Sequence, residues 1–454
     1  MSEFAASLGR LIRSPAFKFV LICFLILVLL IPMLLVGGLV FEREGRAREV
    51  RAEVAKVWGQ PQQVLGPLLV VPYSIKVESV QGEKRVEQIV EKRAVFTPEQ
   101  LDIVVNTASK VLHRGIYDAP VFSAKAAING RFLAPDIRDV AAETVAVRWR
   151  DASLILGLSD VSGLKQAAVL KINGTINIPF APSLGIGASN QVPGIHVKLL
   201  PANLAAAPDT GLPAFSFHVD LDFSGSASLQ FAPAARETKV AMTSDWASPS
   251  FSGAYLPGDR TVSNTGFTAS WTVPHLARSV PQSWTLSEHG ADLFQPYYFG
   301  VSFFQPVGFY DLVMRAVKYA VLFVTFAFMA VFVIELLWRK RVHPVQYLFV
   351  GVALIFFYVL LLSLAEHIGF GPAYWGAAAA TGSMLATYVG RSIGTRAGLI
   401  MAGVFALLYG LLYLILRLED YALLAGALVG FVTLTIVMFS TLNVDWSGTE
   451  PAKG

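Results

Sequence analysis

One uninterrupted apolar stretch near the start of the chain constrains its fold most strongly. Residues Phe19 to Phe41 include no charged side chain, and about 20 such residues suffice to cross the hydrocarbon core of a bilayer. The stretch is longer than the apolar core of a signal peptide, and no small-residue cleavage pattern precedes Glu42. We therefore expect a permanent membrane helix at residues 19–41, preceded by a tail at residues 1–18.

The composition of the whole chain is that of an integral membrane protein. Hydrophobic residues make up 54% of the 454 residues and charged residues 15%, whereas soluble domains carry about 25% charged residues. The net charge of +4 does not indicate a nucleic-acid partner, because many basic residues flank apolar segments, where they set membrane orientation. The single cysteine, Cys23, excludes an intramolecular disulfide and a cysteine metal cluster.

The segment that follows the first apolar stretch has no membrane-spanning pattern. Mixed charges at helical spacing after Phe41 predict that the first helix continues into water, until Gly59 and Pro61 end it. Beyond that point, the apolar run from Val64 to Tyr73 is bounded by prolines and is typical of a buried strand.

Strand patterns then recur over more than 200 residues. Apolar side chains alternate with small or polar ones from Phe215 to Phe223, which is the period of a half-buried strand. Asn173-Gly174 lies between apolar alternations and predicts a hairpin, and Asn129-Gly130 is a second dipeptide of this kind. We therefore expect residues 42–315 to form a large all-β domain of one or two sandwich-like modules.

The last third of the chain contains five further apolar segments, within residues 316–440, each long enough to cross a membrane. They are residues 319–338, 347–365, 372–390, 397–416 and 421–440. The fold class predicted is therefore a mixed α/β membrane protein. It has a six-helix transmembrane bundle, with one N-terminal and five C-terminal spans, and the β domain is inserted after the first span.

The basic residues give this arrangement an orientation, because loops on the cytoplasmic side are enriched in lysine and arginine. The loops placed inside carry Arg10, Arg13 and Lys18, then Arg339, Lys340 and Arg341, and finally Arg391 and Arg396. We expect both termini, including the tail at residues 441–454, to be cytoplasmic. The β domain is then expected to lie in a bacterial periplasm.

No strong catalytic motif is present. The sequence lacks H-E-x-x-H, G-x-S-x-G and the Walker A loop, and its histidines show no metal-ligand spacing. Ser162 and Lys165 match the S-x-x-K pair of penicillin-recognising enzymes, but the companion motifs are missing and a turn explains the segment better. We expect neither enzymatic activity nor a cofactor or metal.

Three ionisable residues in or beside the spans are functional candidates, because such groups are costly in a membrane. They are Glu335, Glu366 and His367. All three lie near helix ends, where they can reach water, and Glu335 is about one helical turn from the Arg339 to Arg341 cluster. A structural role and a proton-carrying or ligand-binding role both remain open.

Three sequence blocks around the second and third spans resemble the CreD family of bacterial inner-membrane proteins. They are YDLVMRAVKYA at residues 310–320, HPVQYLFVG at residues 343–351 and FYVLLLSLAEHIGF at residues 357–370. The second block supplies the motif positions His343, Pro344, Gln346 and Tyr347, and the third contains Glu366 and His367. Shorter blocks agree in the same order at residues 65–68, 114–117 and 243–246.

The resemblance implies an inner-membrane protein linked to cell-envelope integrity and envelope stress, with no defined reaction and no catalytic residues to carry over. Together with the topology, it favours a non-enzymatic factor that acts through its periplasmic domain. Its expected partners are the lipid bilayer and an envelope protein, a lipid or peptidoglycan. Two alternatives stay open: a transporter or flippase using Glu366 and His367, and a cell-wall hydrolase using Ser162 and Lys165.

Overall fold

The computed structural model describes residues 15–81, 84–185, 193–204, 211–286, 292–303, 308–338, 342–418 and 422–440. The chain divides into two compact units. Met1–Ala47 and Val307–Gly454 form the first, which we call the helical unit, and Arg48–Pro306 form the second, the β unit. The β-rich insertion expected after the first apolar stretch is confirmed.

The described strands of the β unit form two sheets. In chain order they are β1 (Gln62–Gln81), β2 (Lys84–Phe96), β3 (Gln100–Arg114), β4 (Tyr117–Phe132), β5 (Thr144–Val147), β6 (Ser153–Leu158), β7 (Val169–Ile172), β8 (Ile176–Pro179), β9 (Ala181–Pro182), β10 (Gly194–Lys198), β11 (Phe215–Ser226), β12 (Ser228–Phe231), β13 (Glu237–Ser244), β14 (Pro249–Gly253), β15 (Asp259–Ser263), β16 (Gly266–Pro274), β17 (Ser283–Thr285) and β18 (Phe299–Phe303).

The first sheet is built around β1, which has 20 residues and pairs with β2, β5, β6 and β12. Its main path runs β14-β18-β12-β1-β6-β10-β9, and β17 joins it through β2. The second sheet has the order β15-β16-β13-β3-β4-β11-β7-β8. Most neighbours are antiparallel, but β1 and β12 pair in parallel in the first sheet, and β3 and β13 do so in the second.

One hydrophobic core holds the two sheets face to face. Along β11 the side chains alternate between buried and less buried from Phe215 to Phe223, as the sequence pattern predicted. Phe122 of the second sheet stacks on Phe303 of the first, with ring centroids 4.6 Å apart. Trp271 and Phe299 make a similar contact at 5.7 Å. The β unit is therefore a sandwich, because the inner faces of both sheets contribute to a single core.

The two Asn-Gly dipeptides have different structures. Asn173 and Gly174 both have positive φ, of 47° and 72°, and join β7 to β8, so the predicted hairpin is confirmed. The hairpin prediction for Asn129-Gly130 is wrong, because both residues lie inside β4. A Cβ at Gly130 would lie 2.4 Å from the ring of Phe217. This glycine makes room for a core aromatic ring and does not form a turn.

Six described helices complete the fold: α1 (Pro15–Trp58), α2 (Phe309–Trp338), α3 (Pro344–Ile368), α4 (Phe370–Ser392), α5 (Thr395–Arg417) and α6 (Ala422–Ser440). The continuation of the first helix beyond Phe41 is confirmed, and Gly59 follows it with φ of +139°. Among the described residues, α1, α2, α3 and α5 are long and apolar enough to cross a membrane. The structure thus supports four of the six predicted spans.

Small residues determine how closely α4 and α5 approach each other. A Cβ added at Gly398 would lie 2.7 Å from the Cα of Gly390, so the two backbones are in contact there. Small residues at a helix contact of this kind allow the two backbones to approach closely. The described part of α6 packs against α2 and α5.

Candidate functional site

The first polar site of the helical unit is centred on Glu335, near the end of α2. Its side chain is buried and forms an ion pair with Lys18 of α1. The amide of Val342 donates to Glu335 Oε1 at 3.0 Å, and the hydroxyl of Tyr347 donates to Oε2 at 2.8 Å. Lys18 also donates to the carbonyl of Val342 at 2.6 Å. We call Lys18, Glu335, Val342 and Tyr347 the Glu335 cluster.

This cluster explains the His-Pro-x-Gln-Tyr motif. His343 caps α3, since its ring accepts from the amide of Val345 at 3.3 Å, and Pro344 occupies the first turn. The side chain of Gln346 accepts from the amide of His343 at 2.9 Å and completes the capping box. Tyr347 then points to Glu335. The motif positions begin a helix and position one tyrosine.

The expected pairing of Glu335 with the basic cluster at residues 339–341 lies outside the described residues. The partner that the structure describes is Lys18, which is 317 positions away in the chain. Sequence reasoning missed this contact, although Lys18 directly precedes the apolar stretch of α1. In the sequence alone, a basic residue at that boundary indicates only the orientation of the helix.

The second polar site is centred on Glu366, at the end of α3. The hydroxyl of Tyr310 donates to Glu366 Oε1 at 3.1 Å, and Arg43 Nε lies 4.0 Å from the same oxygen. We call Arg43, Tyr310 and Glu366 the Glu366 cluster. The Glu366 side chain is only 8% exposed, whereas its neighbour His367 is exposed. The structure therefore does not bring His367 into the same site as Glu366.

The two clusters share the same kinds of ionisable and tyrosine side chains and join the same three helices. Each contains one base from α1, one carboxylate and one tyrosine, but the carboxylate comes from α2 in one and from α3 in the other. Lys18 and Arg43 are 25 positions apart, which is about 38 Å along a helix. That distance exceeds the roughly 30 Å hydrocarbon core, so both clusters fit at membrane interfaces.

A third polar group of side chains lies between the clusters, in the interior of the bundle. The hydroxyl of Tyr374 donates to the carbonyl of Tyr409 at 2.7 Å. The hydroxyls of Thr381 and Tyr409 are also 2.7 Å apart. Among the residues described, the buried hydroxyl of Tyr358 has no hydrogen-bond partner. Sequence reasoning did not select these residues, because tyrosine is common in apolar spans and carries no charge at neutral pH.

The β unit does not assemble the hydrolase pair. Ser162 donates its hydroxyl hydrogen bond to Asp160 Oδ1 at 2.6 Å, within a turn. Lys165 instead donates to the hydroxyl of Ser123 at 2.6 Å and lies over the ring of Trp58. Ser162 and Lys165 are thus each held by other partners. Across the described part of the chain, no group of histidine, cysteine and carboxylate side chains could hold a metal ion.

A buried arginine is the most perturbed charged group of the β unit. Arg278 is 6% exposed and donates to the carbonyls of Val280 at 2.7 Å and Ala235 at 3.1 Å. Its guanidinium lies 5.3 Å from the ring centroid of Phe294. Burial lowers the pKa of Arg278 to about 10, so the group stays charged at neutral pH. Its contacts join three chain segments and provide no visible reactive site.

Comparison with known proteins gives one consistent result. The sequence profile of the family described as "Inner membrane protein CreD" matches residues 14–447. A relative from Escherichia coli (strain K12), described as "Inner membrane protein CreD", is 30% identical over 444 residues. The match covers 96% of this chain and 95% of the relative.

Proposed function

Because the chain belongs to the CreD family of inner membrane proteins, we propose that it supports cell-envelope integrity and the envelope stress response. It is a multi-pass inner-membrane protein, and in this proposal it catalyses no reaction and needs no cofactor. The β unit contacts an envelope protein, a lipid or peptidoglycan, and the helical unit holds the β unit at the membrane.

The proposed topology has six spans with both termini in the cytoplasm. It adds α4 and α6, with 23 and 19 residues, to the four helices that are already apolar enough to cross. The arginines and lysines in the short loops support this orientation, because positive residues are retained on the cytoplasmic side. The β unit, which lies between α1 and α2 in the sequence, is then periplasmic.

The proposal rests on the contacts that the buried carboxylates of the helical unit make with neighbouring helices. Glu335 and Glu366 each form an ion pair with a base and accept a hydrogen bond from a tyrosine on neighbouring helices. Carboxylates held in this way stabilise helix packing, whereas a carrier needs groups that can exchange partners with its cargo. This favours an action through the β unit.

The test is complementation of a strain that lacks its native relative, under envelope stress. Three proteins are compared: the full chain, a chain ending at Pro306 that keeps α1 and the β unit, and full-length Glu366→Gln. We expect rescue by the shortened chain, since it keeps the proposed acting part. Glu366→Gln should also rescue, because glutamine can still accept the hydrogen bond from Tyr310.

Failure of both variants to rescue would contradict the proposed action of the β unit. If both variants insert normally in the membrane and neither rescues, the active centre lies in the helical unit. The proposal would then give way to transport through a path that includes Glu366. Membrane fractionation and protease protection of each variant serve as the control for insertion.

A further inference from the structure

A groove between α3 and α4 is not explained by the polar clusters or by the proposed action of the β unit. It has a volume of about 500 Å³. Its walls run from Phe349 to Leu360 on α3 and from Ala380 to Tyr388 on α4, and nearly all the side chains in them are apolar.

The groove is open in the part of the chain that the structure describes. Phe349 is 57% exposed, Phe356 56% and Met384 52%. The described residues of α6 pack on α2 and α5, and α1 meets α3 at Gly351, which is not in the groove. In a membrane protein, an open apolar groove on the helices contacts lipid unless another helix covers it.

The length of the groove fits one leaflet of a bilayer. Phe349 and Leu360 are 11 positions apart on α3, which corresponds to about 17 Å. The hydrocarbon core is about 30 Å thick, so the groove covers roughly half of it. A single acyl chain matches this length, whereas a spanning helix from another protein would contact the full height of α3 and α4.

The end of the groove at Tyr388 is polar and positively charged. Arg391 lies three positions beyond Tyr388, on the same face of α4. Gln346, at the start of α3, donates to the hydroxyl of Ser392 at 3.3 Å. Arg391 is exposed, and no carboxylate in the described ranges forms an ion pair with it. An arginine without an acidic partner at the end of an apolar groove suits a phosphate headgroup.

We propose that this groove binds one acyl chain of an anionic phospholipid and that Arg391 binds its phosphate. The lipid comes from the leaflet that faces the Arg391 end of α4. Under the proposed topology this is the cytoplasmic leaflet, but the site itself does not depend on that orientation or on the envelope function.

The test uses the full chain purified in mild detergent and native mass spectrometry. Phosphatidylglycerol and phosphatidylcholine with identical acyl chains are added separately. Ala380→Phe places a ring inside the groove, and Ala379→Phe, at a neighbouring exposed alanine outside it, is the matched control. Arg391→Gln removes the charge alone.

We expect the native chain to retain one phosphatidylglycerol. Ala380→Phe should lower the retained lipid about tenfold, which corresponds to about 1.4 kcal/mol, while Ala379→Phe should match the native chain. Arg391→Gln should lower the preference for phosphatidylglycerol over phosphatidylcholine about fivefold, the factor that one arginine supplies near an anionic headgroup.

Three results would overturn the proposal. The first is equal lipid retention by Ala380→Phe and the native chain. The second is an unchanged lipid preference in Arg391→Gln. The third is a dimer of the native chain that Ala380→Phe converts to a monomer without loss of lipid, which would make the groove a contact between two copies.

Discussion

At the scale of single residues, the sequence identified the two important carboxylates but not their partners. Glu335 and Glu366 stand out because charged residues are rare in spans. Lys18 and Arg43 are separated from them by about 300 positions, and only packing of α1 on α2 and α3 brings the charges together. Which base a carboxylate pairs with depends on how each helix is rotated about its own axis. Hydropathy carries no information about that rotation.

Within the Glu335 cluster, Lys18 and Glu335 should contribute to the stability of the protein as a coupled pair. Lys18→Met leaves a buried carboxylate without its cation, and Glu335→Gln leaves a mostly buried ammonium without its anion. We expect each change to lower the free energy of unfolding by about 3 kcal/mol. The double variant should lose clearly less than the sum, since neither charge is then left unpaired.

Thermal unfolding of the full chain in detergent measures this cycle. Arg396→Met, at an exposed position on α5, is the control and should change stability by less than about 0.5 kcal/mol. Strictly additive losses in the double variant would mean that Lys18 and Glu335 act independently.

A second prediction at this scale concerns pH and the turn that begins at Asp160. Burial alone would raise the pKa of Asp160, but hydrogen bonds from Ser162 and from the amide of Gln60 outweigh it and lower that pKa below 3.8. The carboxylate therefore stabilises the folded state above about pH 4, and this contribution is lost as the pH falls below that value.

Asp160→Asn should lower the melting temperature at pH 7 by about 2 °C, and the difference should shrink as the pH falls below about 4. Scanning calorimetry of both proteins from pH 7 to pH 3 measures this. Asp259→Asn, on the exposed strand β15, is the control. A constant difference between the Asp160→Asn and native curves at every pH would contradict the assignment.

At the scale of elements, periodicity predicted strands and helices well, but single dipeptides were less reliable. The alternation along β11 and the long first helix could be predicted because burial of one face imposes a period. The Asn129-Gly130 signal failed because its glycine accommodates the ring of Phe217 from the neighbouring strand. A long-range contact of this kind leaves no local trace, so a turn and a packing glycine have the same sequence signature.

The contact between α4 and α5 gives a prediction for an element pair. Gly398→Leu adds atoms where the backbone of Gly390 is already close. We expect a loss of about 2 kcal/mol, or separation of the two helices, because the overpacked backbone cannot relax without moving a helix. Gly403→Leu, on the same helix with nothing within 4 Å of an added Cβ, is the matched control.

Thermal unfolding of both glycine variants in detergent measures the difference. Equal melting temperatures for Gly398→Leu and Gly403→Leu would show that the close approach of α4 and α5 does not contribute to stability.

At the scale of the whole molecule, two units of different character share one chain. Composition and hydropathy separated them because a bilayer accepts only helices or closed barrels, whereas an all-β insertion needs water around its loops and edges. The order of the strands in the sheets could not be predicted, because some paired strands are distant in the chain. Examples are the pair β1 and β12 and the pair β3 and β13. The activity could not be predicted either, because the sequence contains no strong catalytic motif from which to infer a reaction.

The proposed function depends most on the β unit lying outside the cytoplasmic membrane. Two single-cysteine proteins test it directly, each in a Cys23→Ser background: Thr261→Cys on the exposed strand β15, and Arg396→Cys on the first turn of α5. Cells with a permeabilised outer membrane are treated with a membrane-impermeant maleimide. We predict that Thr261→Cys is labelled at once and Arg396→Cys only after the inner membrane is lysed. Labelling in the reverse order would place the β unit in the cytoplasm and contradict the account.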